Sequence, residues 1–288
     1  MKNLKWYLIT SLIGLVSISG IWLFIGSLHQ DRPDRSDADF IQSSVPTFFL
    51  HGWKSSYHAE QQMVNYAKKQ GVTTNIIVAR VHRSGRVTLS QNLNSAAKNP
   101  IIMINFDDNH MRDYHTDAKW LRNVIVKVRQ HYHFTRYNLV GHSMANMTIY
   151  HFILVYGNDH QLPKLQKIVD IAGNYNGILG KKHQPIHIKN HPNMKPQEML
   201  PAYQQLLKLR QTFPKKQIKI LNIYGDYDHS GTDGHVANAS TLSLKYLLNN
   251  RAKSYRVIKI TGYHANHSGL HNNLKVDRIL VDFLWRKH

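Results

Sequence analysis

Within Tyr137-Asn138-Leu139-Val140-Gly141-His142-Ser143-Met144-Ala145-Asn146, an apolar strand-type run breaks into Gly-His-Ser-Met-Ala and then into a helical pattern. That order of residue types builds a nucleophile elbow, a tight strand-to-helix turn that lifts a serine hydroxyl above a sheet. The N–H that follows the serine then faces the oxyanion formed when the hydroxyl attacks a carbonyl. The turn demands small residues two before and two after the serine. Gly141 meets the demand fully, and Ala145 stands where a second glycine is commoner. The competing reading is a serine that only caps the helix after it.

A serine nucleophile needs a base and an acid, and folds with such an elbow supply them later in the chain, acid first. Three carboxylates compete in Gly225-Asp226-Tyr227-Asp228-His229-Ser230-Gly231-Thr232-Asp233-Gly234-His235-Val236, after an apolar run at residues 218–224. Asp233, before a glycine in a turn, is preferred as the acid; Asp226 is the alternative, and loop capping accounts for the rest. The base is sought in Gly262-Tyr263-His264-Ala265-Asn266-His267-Ser268-Gly269-Leu270-His271, after the last apolar run. His267 is preferred, His271 is the alternative base and His264 comes third. The same His-x-x-His-x-x-x-His spacing would present three imidazoles to zinc on a helix, but Gly262 and Gly269 argue against a helix there. A second oxyanion donor belongs in the loop after the first strand, at His51-Gly52-Trp53. The expected hole is the backbone N–H of Trp53 and of Met144, whatever the Trp53 ring packs against. This chemistry calls for no cofactor and no metal.

The elements that must hold these residues alternate. Strands are expected at residues 45–50, 75–82, 86–89, 100–106, 137–142, 165–172, 218–224 and 255–260, with Ser84-Gly85 turning a hairpin. Helices are expected at 59–69, 117–131, 144–155, 242–248 and 276–285. This rhythm implies an α/β fold with a mostly parallel central sheet and helices on both faces. Residues 173–214, rich in Asn, His, Lys and Pro, read as a small cap or lid insertion with an amphipathic piece at 204–209.

The chain of 288 residues has 37 Lys and Arg against 17 Asp and Glu, so its net charge is +20, and it carries 20 His and no Cys. That excess points to anionic partners, with acidic cell-envelope polymers or anionic lipid head groups ahead of nucleic acid, for which no reading motif is present. Absence of cysteine excludes disulfides and thiolate chemistry. Residues 6–28 carry no charge and are long enough to cross a bilayer of about 30 Å. With Lys2 and Lys5 before them and no clear cleavage site after them, residues 1–29 read as a signal-anchor. The positive-inside rule then leaves the rest of the chain outside the cell membrane, with secretion after cleavage as the alternative. Residues 30–44 read as a linker and 45–288 as the domain.

Together the His51, Ser143, Asp233 and His267 segments resemble the exported cell-surface α/β-hydrolases of lactobacilli and related Gram-positive bacteria, over about residues 45–287. In that family the elbow is typically Gly-His-Ser-Asn-Gly-Gly, the acid turn Ser/Thr-Asp-Gly-x-Val-Pro and the base turn His-Ser-x-Leu. This chain departs at Met144-Ala145-Asn146 and at Ala237. The resemblance implies the α/β-hydrolase fold and a Ser143, Asp233, His267 triad. The function expected is hydrolysis of a small-molecule or lipid-like acyl ester through an acyl-enzyme. Acyl transfer to another alcohol would use the same residues. The alternative from another class is a non-catalytic protein that binds anionic envelope polymers on the same scaffold.

Overall fold

Strands that are apolar at every position must be covered on both faces, and their alternation divides the interior in two. The computed structural model describes residues 39–180 and 189–287. The strands are β1 Thr47–Leu50, β2 Ile76–Val81, β3 Val87–Leu89, β4 Ile101–Phe106, β5 Arg136–His142, β6 Lys164–Ile171, β7 Lys219–Asp226 and β8 Ser254–Thr261. They form an 8-stranded sheet in the order β3-β2-β4-β1-β5-β6-β7-β8. Only the β2–β3 hairpin is antiparallel, as the Ser84-Gly85 turn predicts; every other pair is parallel.

Phe48, Ile102, Leu139, Ile168 and Ile220 point to one face, and Phe49, Met103, Val140, Val169 and Leu221 to the other. The first face is covered by α2 (Tyr114–His131), α3 (Met144–Tyr156) and short helices described below; the second by α1 (Gln61–Lys69) and the C-terminal helix, which becomes α8 (Leu274–Trp285) in chain order. Among the described residues, both cores are drawn from residues 40–285.

Three expectations change in detail. α2 starts at Tyr114 rather than at residue 117, because the Asp113 carboxylate accepts the N–H groups of His115 and Thr116 and so begins the helix one turn early. In place of one helix at 242–248 there are two, α6 (Asn238–Leu242) and α7 (Leu244–Leu248), meeting at Ser243, whose hydroxyl donates to the Ser240 carbonyl. Within the stretch expected as a cap, α4 (Pro201–Leu206) opens with proline at its first turn and α5 is Leu209–Thr212. Here Tyr203, Leu206, Leu209 and Phe213 are fully buried in the first core, so the second half of that stretch is built into the domain. Residues 181–188 and the run at 6–28 lie outside the described residues. No helix among the described residues is long and apolar enough to cross a membrane.

The sheet places its functional loops by a close backbone approach. A Cβ on Gly225 would lie 1.8 Å from the Ala265 carbonyl oxygen and 3.1 Å from the Asp233 Cβ. The turn after β8 therefore rests directly on the end of β7, where only glycine leaves room. Gly225→Ala is expected to destabilise the protein by at least about 3 kcal/mol, the upper end for inserting atoms into packed structure. Thermal unfolding checks this: a variant melting at the wild-type temperature contradicts the packing.

Candidate active site

β5 ends at His142 and α3 begins at Met144, so Ser143 is the hinge between them. Its φ of 57° and ψ of −123° lie in the region that favours glycine, at about 1–3 kcal/mol for a residue with a side chain. The surroundings enforce that conformation. Ser143 N–H donates to the Ile171 carbonyl at the end of β6 (2.9 Å), and the Ser143 carbonyl accepts from Asn146 N–H (3.0 Å). The Asn146 side chain donates to the same Ile171 oxygen (2.9 Å). A Cβ on Gly141 would come within 2.7 Å of Asn146 Oδ1 and 2.8 Å of Ile149 Cδ1, which is the steric demand read from the sequence. Ser143 makes no side-chain cap to α3; its hydroxyl goes elsewhere.

That hydroxyl lies 2.9 Å from His267 Nε2, and His267 Nδ1 lies 2.8 Å from Asp233 Oδ2. An ionised carboxylate only accepts, so Nδ1–H donates to Asp233 and Nε2 is left to accept from Ser143 Oγ. Asp233 is 3% exposed. Its other oxygen accepts the N–H groups of His235 (2.9 Å) and Val236 (2.6 Å), so the turn that carries the acid also orients it. The backbone of His267 is held at both ends. Its N–H donates to the Asp233 carbonyl (2.8 Å), and its carbonyl accepts from His142 Nε2–H (2.9 Å).

The other candidates are placed differently. Asp226 accepts from Gly231 N–H (2.9 Å) and pairs with Lys259 (3.1 Å), which with that backbone bond holds its carboxyl below the usual range against the opposing effect of burial. Asp228 accepts from Ser230. The His271 ring packs edge-on against His142 at 4.8 Å, and burial followed by the nearby His267 pushes its basicity down. The turn at 262–273 is not one helix: Gly262 and His264 have positive φ, and only Gly269–Asn272 forms a 3-10 turn. Among the described residues, no group of three or more His, Cys, Asp or Glu is arranged to hold a metal ion.

Ser143 opens into a cavity of about 520 Å³, lined also by Trp53, Met144, Met147, Tyr175, Ile178 and Leu200, with Arg112 and His235 at its walls. Both expected oxyanion donors, Trp53 and Met144, therefore border the same space as the hydroxyl. The loop that carries Trp53 is braced by His51, whose Nδ1–H donates to the Gly52 carbonyl (2.8 Å) while Nε2 accepts from Phe106 N–H (3.2 Å). Burial keeps that imidazole neutral, as the second bond requires. Lys54 Nζ lies 4.5 Å and the Arg112 guanidinium 5.3 Å from the centre of the Trp53 ring.

Sequence reasoning missed His142, His235 and Arg112. Only His142 had a signal, its place between Gly141 and the serine. Burial, then the neighbouring His267 and His271, push His142 well below ordinary histidine, which keeps it neutral as a donor to the His267 carbonyl.

A family model described as alpha/beta hydrolase of unknown function (DUF915) matches residues 35–287. Two solved structures share the fold. The product of the gene lin2722 from Listeria innocua is similar with a TM-score of 0.75 and 23% identity, over 84% of this chain and 94% of that one. The "putative cell surface hydrolase from Lactobacillus plantarum WCFS1" is similar with a TM-score of 0.65 and 20% identity, over 83% of this chain and 89% of that one. No curated protein matches the sequence.

One strand from the elbow, Asp170 on β6 is fully buried and accepts from the Tyr150 hydroxyl of α3 (2.8 Å). Burial raises its carboxyl to about 7. A carboxyl raised above its unfolded value contributes stability at low pH that is lost as the pH rises through the folded value. The protein should therefore lose stability between about pH 4 and pH 7, and Asp170→Asn, which keeps the acceptor for Tyr150, should make that loss smaller by up to about 1.4 kcal/mol per unit. Denaturant unfolding across this range decides it; equal slopes in both proteins would contradict a buried neutral carboxyl.

Proposed function

The chain belongs to this alpha/beta hydrolase family, and on that premise we propose that it is a serine hydrolase acting on carboxylic esters at the cell surface. The observation that carries the reading is the unbroken line from Asp233 through His267 to Ser143, two bonds of 2.8 and 2.9 Å at the C-terminal ends of three strands. His267 takes the Ser143 proton as Oγ attacks the acyl carbon, and Asp233 stabilises the imidazolium that forms. The N–H groups of Trp53 and Met144 hold the oxyanion, an arrangement supported by their position on the wall beside the hydroxyl. The imidazolium then protonates the departing alkoxide, and water, deprotonated by the same His267, releases the acyl group from Ser143.

Met144, Met147, Ile178, Leu200, Pro201 and Ala202 offer the acyl group an apolar wall in a cavity of small-molecule size. Among the described residues no carboxylate lines it, and Arg112 does, which favours a neutral or anionic ester over a cationic one. The cell-surface setting is supported by the apolar run at residues 6–28 and by the description of the Lactobacillus structure.

A fluorophosphonate probe should label the protein at Ser143, with labelling absent in Ser143→Ala and turnover of a nitrophenyl ester reduced roughly a thousandfold or more in Asp233→Asn. A folded wild-type protein that resists the probe would instead favour a scaffold that binds anionic polymers without catalysis.

A further inference from the structure

In a parallel sheet all strands begin at one end, and here that end is crowded with cations. Lys98 precedes β4, Arg136 begins β5, Lys164 begins β6, Lys215 and Lys216 precede β7, which begins at Lys219, and Lys253 precedes β8. All but Lys219, which is partly covered, are exposed. Among the described residues none of them is in an ion pair. Among the described residues the acids near this end are few: Asp159, 3.9 Å from Arg122, Asp39 beside the end of α8, and Asp282 in its last turn, 3.3 Å from Arg286. Asp107, Asp108, Asp113, Asp226, Asp228 and Asp233 instead gather where the strands finish, on the side of Ser143.

Folding alone does not ask for this arrangement. Helix dipoles favour cations at helix C-termini, which accounts for Lys68, Lys69 and Arg129, but strands carry little net dipole. Arg136 and Lys164 are direct register partners on neighbouring strands, a like-charge pairing that destabilises a sheet. At the β7–β8 corner, Lys216, Lys245 and Lys253 line a cleft of about 520 Å³ together with Asn250, Ser254 and Tyr255, and among the described residues no carboxylate borders it.

The polypeptide also arrives at this end. The carbonyls of Ile41 and Ser43 accept from the side chain and backbone N–H of Asn99, just before β4, and Thr47 N–H donates to the Pro100 carbonyl as β1 begins. The uncharged run at residues 6–28 lies upstream, joined to this end through residues 30–44, at most roughly 50 Å of extended chain.

We propose that the end of the sheet where β4 to β8 begin docks on an anionic lipid surface. Phosphate headgroups supply the charges that Lys98, Arg136, Lys164, Lys216 and Lys253 lack within the domain, and attraction of this kind acts within about 10 Å at moderate salt. The seven residues of β5 then hold Ser143 roughly 20 Å above the headgroups, with its cavity turned away from the bilayer. This docking does not depend on what Ser143 does.

Residues 39–288 contain every described residue of both cores and serve for the test, with cooperative thermal unfolding verified for the unsubstituted fragment and every variant. The fragment is sedimented with phosphatidylcholine vesicles with and without phosphatidylglycerol. The expected result is salt-sensitive binding to the phosphatidylglycerol vesicles alone. It should weaken at least about tenfold in Arg136→Gln/Lys164→Gln/Lys216→Gln/Lys253→Gln and stay unchanged in Arg83→Gln/Arg86→Gln at the opposite end. In the full chain held in phosphatidylglycerol nanodiscs, Lys164 and Lys253 should be protected from amine labelling relative to phosphatidylcholine nanodiscs. The proposal is overturned by absence of binding to anionic vesicles, by equal loss in both variants, by unprotected lysines, or by binding to soluble polyphosphate with none to vesicles.

Discussion

Everything at the candidate site depends on where the backbone of His267 is held. Its imidazole can reach Ser143 and Asp233 at once only if the residue is fixed to within about half an ångström, yet it sits in a turn with little regular structure. Two bonds do the fixing: its N–H on the Asp233 carbonyl and its carbonyl on His142 Nε2. One comes from the turn that carries the acid and the other from the residue beside the nucleophile. Each of the three groups is therefore referenced to the other two, not to the surface.

That mutual reference explains why neighbouring features take the forms they do. Burial, followed by the neighbouring His267 and His271, holds His142 well below ordinary histidine, so a neutral ring donates to the His267 carbonyl. Gly225 leaves the space through which the turn after β8 reaches the end of β7, bringing Ala265 and Asp233 into contact with the same backbone. Ser143 is kept in its unfavourable conformation by bonds to Ile171 and Asn146, so β6 and α3 share the work of presenting its hydroxyl. Described carboxylates collect where the strands end and chemistry is placed, whereas cations stand at both ends: Lys98, Lys164, Lys216 and Lys253 where strands begin, and Lys54, Arg83, Arg86 and Arg112 where they finish.

Much of this was legible in the sequence because it is local. Apolar runs ended by turn residues located the strands, Ser84-Gly85 marked the hairpin, and Gly-His-Ser-Met-Ala announced the elbow. Ser143, Asp233 and His267, named from chain order and turn chemistry, are the residues the fold brings together. What was not legible is pairwise and long-range. Nothing in the sequence around Gly225 says that Ala265 will lie against it, or that His142 will bond a carbonyl 125 positions away. Asp226 and Asp233 are told apart by distant partners: Lys259, from the next strand, pairs with the first, and His267 meets the second. The stretch at 173–214 reads as a cap with one amphipathic piece at 204–209, but its second half supplies Tyr203, Leu206 and Phe213 to the core, a role set by what packs over it.

The central claim is that Ser143 carries the acyl group during turnover. The most direct measurement is intact mass and peptide mapping of the protein after reaction with a nitrophenyl carbamate, whose carbamoyl adduct is released slowly. The account predicts a gain of one carbamoyl group on the peptide containing Ser143, with none in Ser143→Ala. Release of nitrophenol by a protein whose Ser143 stays unmodified would contradict it.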